Sequence, residues 1–430
     1  LLLSMAEIRP FRAWRYHPKL THKISELTSP LFDVVDAKQR AKLYKNELNS
    51  IHLSVPLGVE PAFHASEILE DWKDNKTLVR DPKPAIYVYY QYFSLPNNPK
   101  QYCRKGFISF IKAYDFDERI ILRHENTIPD SVNDRTTLLH HTQLNVSPTH
   151  GLYSDDTFEL EDYMDEAMKT PLYDVEDYQG VRDVLALIED PKIVERFVQK
   201  VAPQQIILAD GHHRYEGSVA FRETMTKSNP NHTGNEWYNY HLMFLTNTEA
   251  HDLRILPTHR IVKNIPDFSD VKFLEQIDRY FHIKEIDDPS MLHEVILGKK
   301  WAFGLLMEDQ AYKIRLKEEA FELMDWNFPM AVKELDLTIM HYFIFERILG
   351  IKRSKQRSSE LISFERSYSA CFSKVLRKEA QIALITKDIS IEEVKNVCHS
   401  GYTMPQKSTY FYPKVICGFL FGDVSESQKG

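Results

Sequence analysis

One stretch constrains this chain more than any other: IILADGHHRYEGSVAFRE, residues 206–223. Ile206, Ile207 and Leu208 form a short apolar run of the kind a buried strand shows, and Gly211 permits a tight turn or a close backbone approach to a ligand. A helix is expected to follow. Its first turn leaves backbone N–H groups unpaired and carries partial positive charge, so an anion such as phosphate is the natural guest there. Arg214 adds a forked cation to the same spot, and Asp210, one residue before the turn, suits a metal ion, a proton or a helix cap. A structural role suits the same residues: Asp-Gly is a common turn pair, tandem histidines pack or cap, and an arginine often ends in a surface ion pair. Two nucleotide motifs are excluded. Five residues separate Gly211 from Gly217 where a Walker loop has four, Ser218 follows with no lysine before it, and no GxGxxG occurs.

The chain has 430 residues, 43% hydrophobic and 27% charged, an ordinary globular balance long enough for two or three packed units. A formal charge of −8 and the lack of a long basic run argue against nucleic acid as the main partner. Cys103, Cys371, Cys398 and Cys417 are far apart and form no CxxC, which fits a reducing compartment. The opening LLLSM lacks a basic leader, so Met5 reads as the start; with no apolar run of about 20 residues, neither a signal peptide nor a membrane span is expected. A cytoplasmic protein follows from this reading.

Pattern changes divide the chain into an N-terminal region at 5–105, a core at 106–264 and a C-terminal region at 265–430. The first is mostly helical up to ASEILEDWKDN. PAIYVYYQYF, KGFISFIKAY and ERIILRHENT then read as three strands of one sheet. Asp134 to Ser147 reads as a helix leading into a turn, Phe158 to Met168 as a helix, and VRDVLALIEDPKIVERFVQKV has apolar residues at helical spacing. NYHLMFLTN and DLRILPTHRIVKN read as strands, DFSDVKFLEQIDRYF as a helix, KKWAFGLLMEDQAYKIRLK as a hairpin and ELDLTIMHYFIFERILGI as a helix. AQIALITKD, ISIEEVKNVCHSG and YFYPKVICGFLF close the chain as strand, glycine-ended helix and strand. The class is α+β with mixed sheets.

Two further polar clusters stand out. HENTIPDSVNDRTTLLHHTQLN, residues 124–145, places His124, Glu125, Asp134, Arg135 and Asn145 at a strand end and around a helix start. Glu125 beside a bound hydroxyl suits a general base; Asp134 and Arg135 suit magnesium and phosphate, or equally a helix cap and a local ion pair. In KSTYFYPK, residues 407–414, Lys407, Ser408 and Thr409 suit an anion or a plain surface turn. Eighteen histidines raise zinc, but HExxH is absent and His212 and His213 point in different directions. GxSxG is absent too. Magnesium held mainly through nucleotide phosphates needs only one or two carboxylates and suits the available residues better.

ADGHHRYE, the HENT…NDRT…N run, RILPTHRIVK, MPQKSTYFYPK and the opening IRPFRAWR together resemble the bacterial and archaeal domain-of-unknown-function family DUF1015, over Glu7 to about Phe421. SPLFDV departs from the family's usual apolar-Pro-Tyr version, and residues 351–375 lack its glycine pair. GHHRYEG also resembles the GxxRxx-small pattern of the ParB/sulfiredoxin superfamily, in which free serine kinases carry a similar DGHHR segment and an upstream His-Glu pair. The resemblance implies a nucleotide-binding core with an added C-terminal α/β region, and phosphoryl transfer from ATP or ADP with Mg²⁺ to a hydroxyl of a small metabolite, free L-serine among them. It implies Glu125 as base, His124 beside it, and Asp210 as metal ligand or proton acceptor. Gly211, His212, His213 and Arg214 would hold phosphate, and Asp134, Arg135 and Asn145 would orient substrate or nucleotide, with Lys407, Ser408 and Thr409 as further candidates. A non-catalytic nucleotide sensor and a nucleotide hydrolase are the alternatives within the same superfamily. A DNA-binding relative is disfavoured by the acidic balance.

Overall fold

The computed structural model describes residues 6–96, 98–308 and 310–425; Met5, the expected start, lies outside them. The chain divides into two compact units, one formed by residues up to Leu253 together with those from Pro413 onward, the other by Arg254–Tyr412. The first is built on a mixed sheet of nine strands among the described residues. Across the sheet run Ile121–Leu122, Ile206–Asp210, Thr149–Tyr153, Tyr240–Asn247, Asn98–Lys112, Ile86–Leu95, Arg182–Ile188 and Tyr173–Glu176, with Ile8–Arg9 pairing beside the end of Asn98–Lys112. Both faces are covered. Leu242 and Phe244 enter one core while Met243 and Leu245 enter the other, the period-two alternation of a strand buried on both sides.

The second unit holds an antiparallel sheet in the order Phe281–Ile286, Gln310–Leu316, Ala302–Met307, Ile382–Ile385, His259–Val262 and Ile362–Glu365. The expected hairpin is present, with Met307 opposite Gln310. This is the α+β class with mixed sheets that the pattern suggests. Among the described residues no helix is long and apolar enough to cross a membrane.

Several local readings change. Asn98–Lys112 runs through residue 105 and pairs with Ile86–Leu95, so the expected first and second regions share one sheet. Residues 254–264 belong to the second unit, because His259–Val262 sits inside its sheet. RDVLALI, Arg182–Ile188, is a strand, not part of a helix: Leu185 packs on one core and Val184, Ala186 and Ile188 on the other. The helix begins only at Pro191, where Asp190 accepts from the Lys192 N–H at 2.8 Å. DLRILPTHRIVKN breaks into Arg254–Ile255 and His259–Val262 around Pro257. ERIILRHENT keeps only Ile121–Leu122 as strand, and YFYPKVICGFLF only Phe411–Tyr412, before Pro413. In ELDLTIMHYFIFERILGI, an α-helical turn at Asp336–Ile339 continues as a π-helix at Met340–Ile348.

Candidate functional site

Ile121–Leu122 and Ile206–Asp210 are parallel neighbours, with Ile121 opposite Ile206 and Leu122 opposite Ile207. Parallel neighbours send their following loops to the same end of a sheet, where ligands gather in α/β proteins. The HENT loop and the DGHHR turn therefore meet. The Ile128 N–H donates to His213 Nε2 at 3.0 Å, and Thr127 Oγ1 donates to Glu216 Oε2 at 2.5 Å. Glu125 lies half-buried in that loop and His124 is buried.

Gly211, at a φ of 90°, opens the helix His212–Ser228. A Cβ added there would sit 2.6 Å from Thr149 Cγ2 and 2.8 Å from Arg214 Nη2, so glycine answers both the backbone conformation and the close approach. The cap residue, Gly211, has no side chain to accept from the helix, among the described residues no side-chain cap hydrogen bond is made there, and the first amides have no intrahelical acceptor.

Arg214 is buried and spoken for. Its Nη1 donates to Ser147 Oγ at 3.0 Å and to the Pro148 carbonyl at 2.6 Å, and its Nη2 to Asp210 Oδ2 at 3.3 Å. The other Asp210 oxygen accepts from Lys414 Nζ, 204 residues away in sequence. Burial pushes the Asp210 carboxyl up, but Lys414 and Arg214 outweigh it and hold the group well below the usual carboxylate range. Asp210 is thus ionised at neutral pH.

Three histidines surround it. His150 stands opposite Asp210 in the neighbouring strand and shares a 2.7 Å hydrogen bond with Thr246 Oγ1. The His124 and His212 rings meet edge to face with centroids 4.8 Å apart. Burial lowers all three, His124 to about 4, so each is neutral at neutral pH. His212 is 6% exposed, and its Nε2 has no hydrogen-bond partner among the described residues.

The helix Pro129–Thr142 approaches His212–Ser228 at Gly217, where an added Cβ would lie 3.3 Å from the Thr136 nitrogen. That approach brings Arg135 to a cavity of about 30 Å³ lined also by Asn145, Ser147, Arg214 and Ser218. Asn145 Nδ2 is buried without a hydrogen-bond partner among the described residues. Arg135 Nη1 donates to the Ser54 carbonyl at 2.7 Å, and its guanidinium lies 4.3 Å over the Phe32 ring. Asp134 is exposed and pairs with Arg135 at 2.5 Å. Lys407, Ser408 and Thr409 belong to the second unit, where Arg260 Nη2 donates to the carbonyls of Gln406 and Lys407 at 2.8 and 3.4 Å and Ser408 Oγ donates to the Pro405 carbonyl.

Magnesium at Asp210 does not fit this arrangement. Each carboxylate oxygen already accepts from a cation, and two positive groups at hydrogen-bonding distance repel a third. Among the described residues no group of three His, Cys, Asp or Glu side chains is arranged to hold a metal ion.

Sequence reading missed Lys414, although it ends the KSTYFYPK run, and missed Glu216 and His150. It also missed a buried polar row across three strands, formed by Asp183, Gln91 and Arg104: Asp183 stands opposite Gln91, and Gln91 opposite Arg104. A polar residue interrupting an apolar strand, as Gln91 does in PAIYVYYQYF, is the signal that was there to find.

The family model for proteins of unknown function DUF1015 matches residues 8–338. The chain belongs to that family. No curated protein matches it in sequence. Among solved structures it is similar to a conserved hypothetical protein from Pyrococcus furiosus, at 12% identity over 73% of this chain and 95% of that one, with a TM-score of 0.35. It is also similar to a free serine kinase in complex with AMP, at 11% identity over 75% and 92%, TM-score 0.38. A third is SbnI with a C-terminal truncation from Staphylococcus aureus, at 11% identity over 72% and 85%, TM-score 0.35.

Proposed function

We propose that this DUF1015 protein is a nucleotide-dependent phosphotransferase whose acceptor is a hydroxyl of a small metabolite, free L-serine being the first to test. The observation that carries the reading is the meeting of the HENT loop with the uncapped, glycine-opened helix start at DGHHR. The motif likeness of DGHHR and the His-Glu pair to free serine kinases supports the same chemistry.

Phosphoryl transfer asks for positioning and charge stabilisation more than for covalent help from the protein. The amides of His212 and His213 and the orphan His212 Nε2 suit phosphate oxygens. Arg214 acts at one remove, fixing Asp210 and the Ser147–Pro148 turn. Glu125 takes the acceptor's hydroxyl proton as that oxygen bonds to the terminal phosphorus. The bridging P–O bond breaks and its electrons leave with the shortened nucleotide, ADP from ATP or AMP from ADP. Arg135 and Asn145 suit substrate orientation, while Asp134, Lys407, Ser408 and Thr409 enter no step.

Phosphorus NMR of the protein with ATP or ADP and a pool of free amino acids and small alcohols tests the reading, with E125Q beside wild type. A new phosphomonoester that E125Q makes at least about 100-fold more slowly is expected, the usual contribution of a general base. Nucleotide binding without product turns the reading into the sensor, and release of inorganic phosphate alone into the hydrolase. Undiminished turnover by E125Q removes the base assignment.

A further inference from the structure

The cavity of about 30 Å³ beside the helices Pro129–Thr142 and His212–Ser228 holds more unmet hydrogen-bonding capacity than its size suggests. Arg135, Asn145, Ser147, Arg214 and Ser218 form its polar wall, and the rest is leucine and valine. Two of these side chains carry buried donors with no hydrogen-bond partner among the described residues, Asn145 Nδ2 and Arg214 Nε. Asn145 is 7% and Arg214 8% exposed, so neither donor reaches bulk water. A buried donor left unpaired is costly, and two on one small cavity point to a guest.

Both unmet groups are donors, which decides what the guest is. A water brings two hydrogens that need acceptors of their own. The hydroxyls of the wall are already engaged: Ser147 Oγ accepts from Arg214 Nη1 at 3.0 Å, and Ser218 Oγ shares a 2.7 Å hydrogen bond with His241 Nδ1. An anion asks for donors alone. The charges agree, since two guanidinium side chains line the cavity and no carboxylate does. Asp134, the partner of Arg135, is 58% exposed and screened by solvent. Asp210 meets Arg214 at 3.3 Å and divides its charge with Lys414. The volume is roughly twice the 10–15 Å³ that one water requires, enough for a halide ion or a single carboxylate head and too little for a nucleotide.

We propose that this cavity binds one small monovalent anion, held by Asn145 Nδ2 and Arg214 Nε, either chloride from solvent or the carboxylate head of a bound metabolite. The anion joins the Leu144–Asn145 strand to the helix that opens at Gly211, and its charge balances a guanidinium that also fixes Asp210, Ser147 and Pro148. The site stands whether or not the protein transfers phosphate; only its carboxylate form rests on that reading.

Thermal melting without nucleotide tests it, in sodium gluconate replaced stepwise by sodium chloride or by sodium formate at constant ionic strength, so that screening is equal throughout. From about 5 to about 500 mM of the bound anion, the wild-type midpoint is expected to rise by about 2–4 °C, as linkage to a site of tens of millimolar affinity requires. N145D brings the negative charge within its own side chain, so it should show no rise and melt in gluconate at or above wild type. N145A keeps the cavity and loses one donor, so its half-saturating anion concentration should be about tenfold higher. A rise with chloride assigns the solvent ion, and a rise with formate alone assigns the metabolite's carboxylate. A wild-type midpoint that answers to neither anion overturns the site. So does a wild-type response in N145D or N145A, which would place the effect elsewhere. Each of these results leaves the phosphotransferase reading to its own assay of product.

Discussion

Replacing Asp183 by asparagine turns a buried carboxyl into a measurable pH effect. Asp183 is 0% exposed; Tyr89 Oη and Gln91 Nε2 donate to its Oδ1 at 2.5 and 2.9 Å, and its Oδ2 has no hydrogen-bond partner among the described residues. Burial pushes the group up to about 7, against the pull of those two bonds and of Arg104. In an unfolded chain the same carboxyl titrates near about 3.9. Between roughly pH 4 and 7 the unfolded chain has released this proton and the folded protein has kept it, so stability falls as pH rises. Above about pH 7 the loss is complete and amounts to about 4 kcal/mol, roughly three pH units at about 1.4 kcal/mol each. Asparagine cannot ionise, but sets an amide where Oδ2 had no partner, a cost of about 1–3 kcal/mol at every pH. D183N is therefore expected to be less stable than wild type near about pH 4.5 and as stable or more so near about pH 8, the difference moving by about 3 kcal/mol between them, since about 1 kcal/mol of the effect is already lost at about pH 4.5. Urea unfolding of both proteins across that range is the assay. The buried His124 and His241, lowered to about 4 and about 3 by burial, tilt both curves the other way on acidification, so the readout is the difference between variants. Parallel curves, with a difference constant to within about 0.5 kcal/mol, would refute a raised Asp183.

Two further substitutions test the site's scaffold. G211A forces a Cβ into contact with Thr149 and Arg214 at a positive φ, so a loss of about 1–3 kcal/mol and of ADP affinity is expected by thermal melt and calorimetry; unchanged binding would separate the turn from the ligand. R214K loses the fork that reaches Ser147, Pro148 and Asp210 at once, and about 2–4 kcal/mol of destabilisation by urea unfolding is expected, with a wild-type midpoint counting against the geometry.

The split between what was legible in the sequence and what was not follows the range of each interaction. The strand, the glycine turn and the helix at residues 206–228 are local, and each rests on a side chain acting on its own backbone or its neighbours'. So the Ile206–Leu208 run and Gly211 sufficed. RDVLALI fails as a helix because a short apolar run buried on both faces has no period of its own; the sandwiching cores decide. Lys414 could not be found this way at all. Its side chain pairs with a carboxylate 204 residues upstream, and the Pro413 and Lys414 carbonyls accept from two side chains of the Asn98–Lys112 and Ile86–Leu95 strands, a convergence fixed by topology alone. The HENT loop stands between these cases. Its polar residues are visible in sequence, but their meeting with DGHHR rests on a parallel pairing of only two residues, Ile121 and Leu122 with Ile206 and Ile207. That short ladder is the step at which two separately readable motifs become one site, so a substitution that unpairs it should separate the two loops while leaving each motif intact.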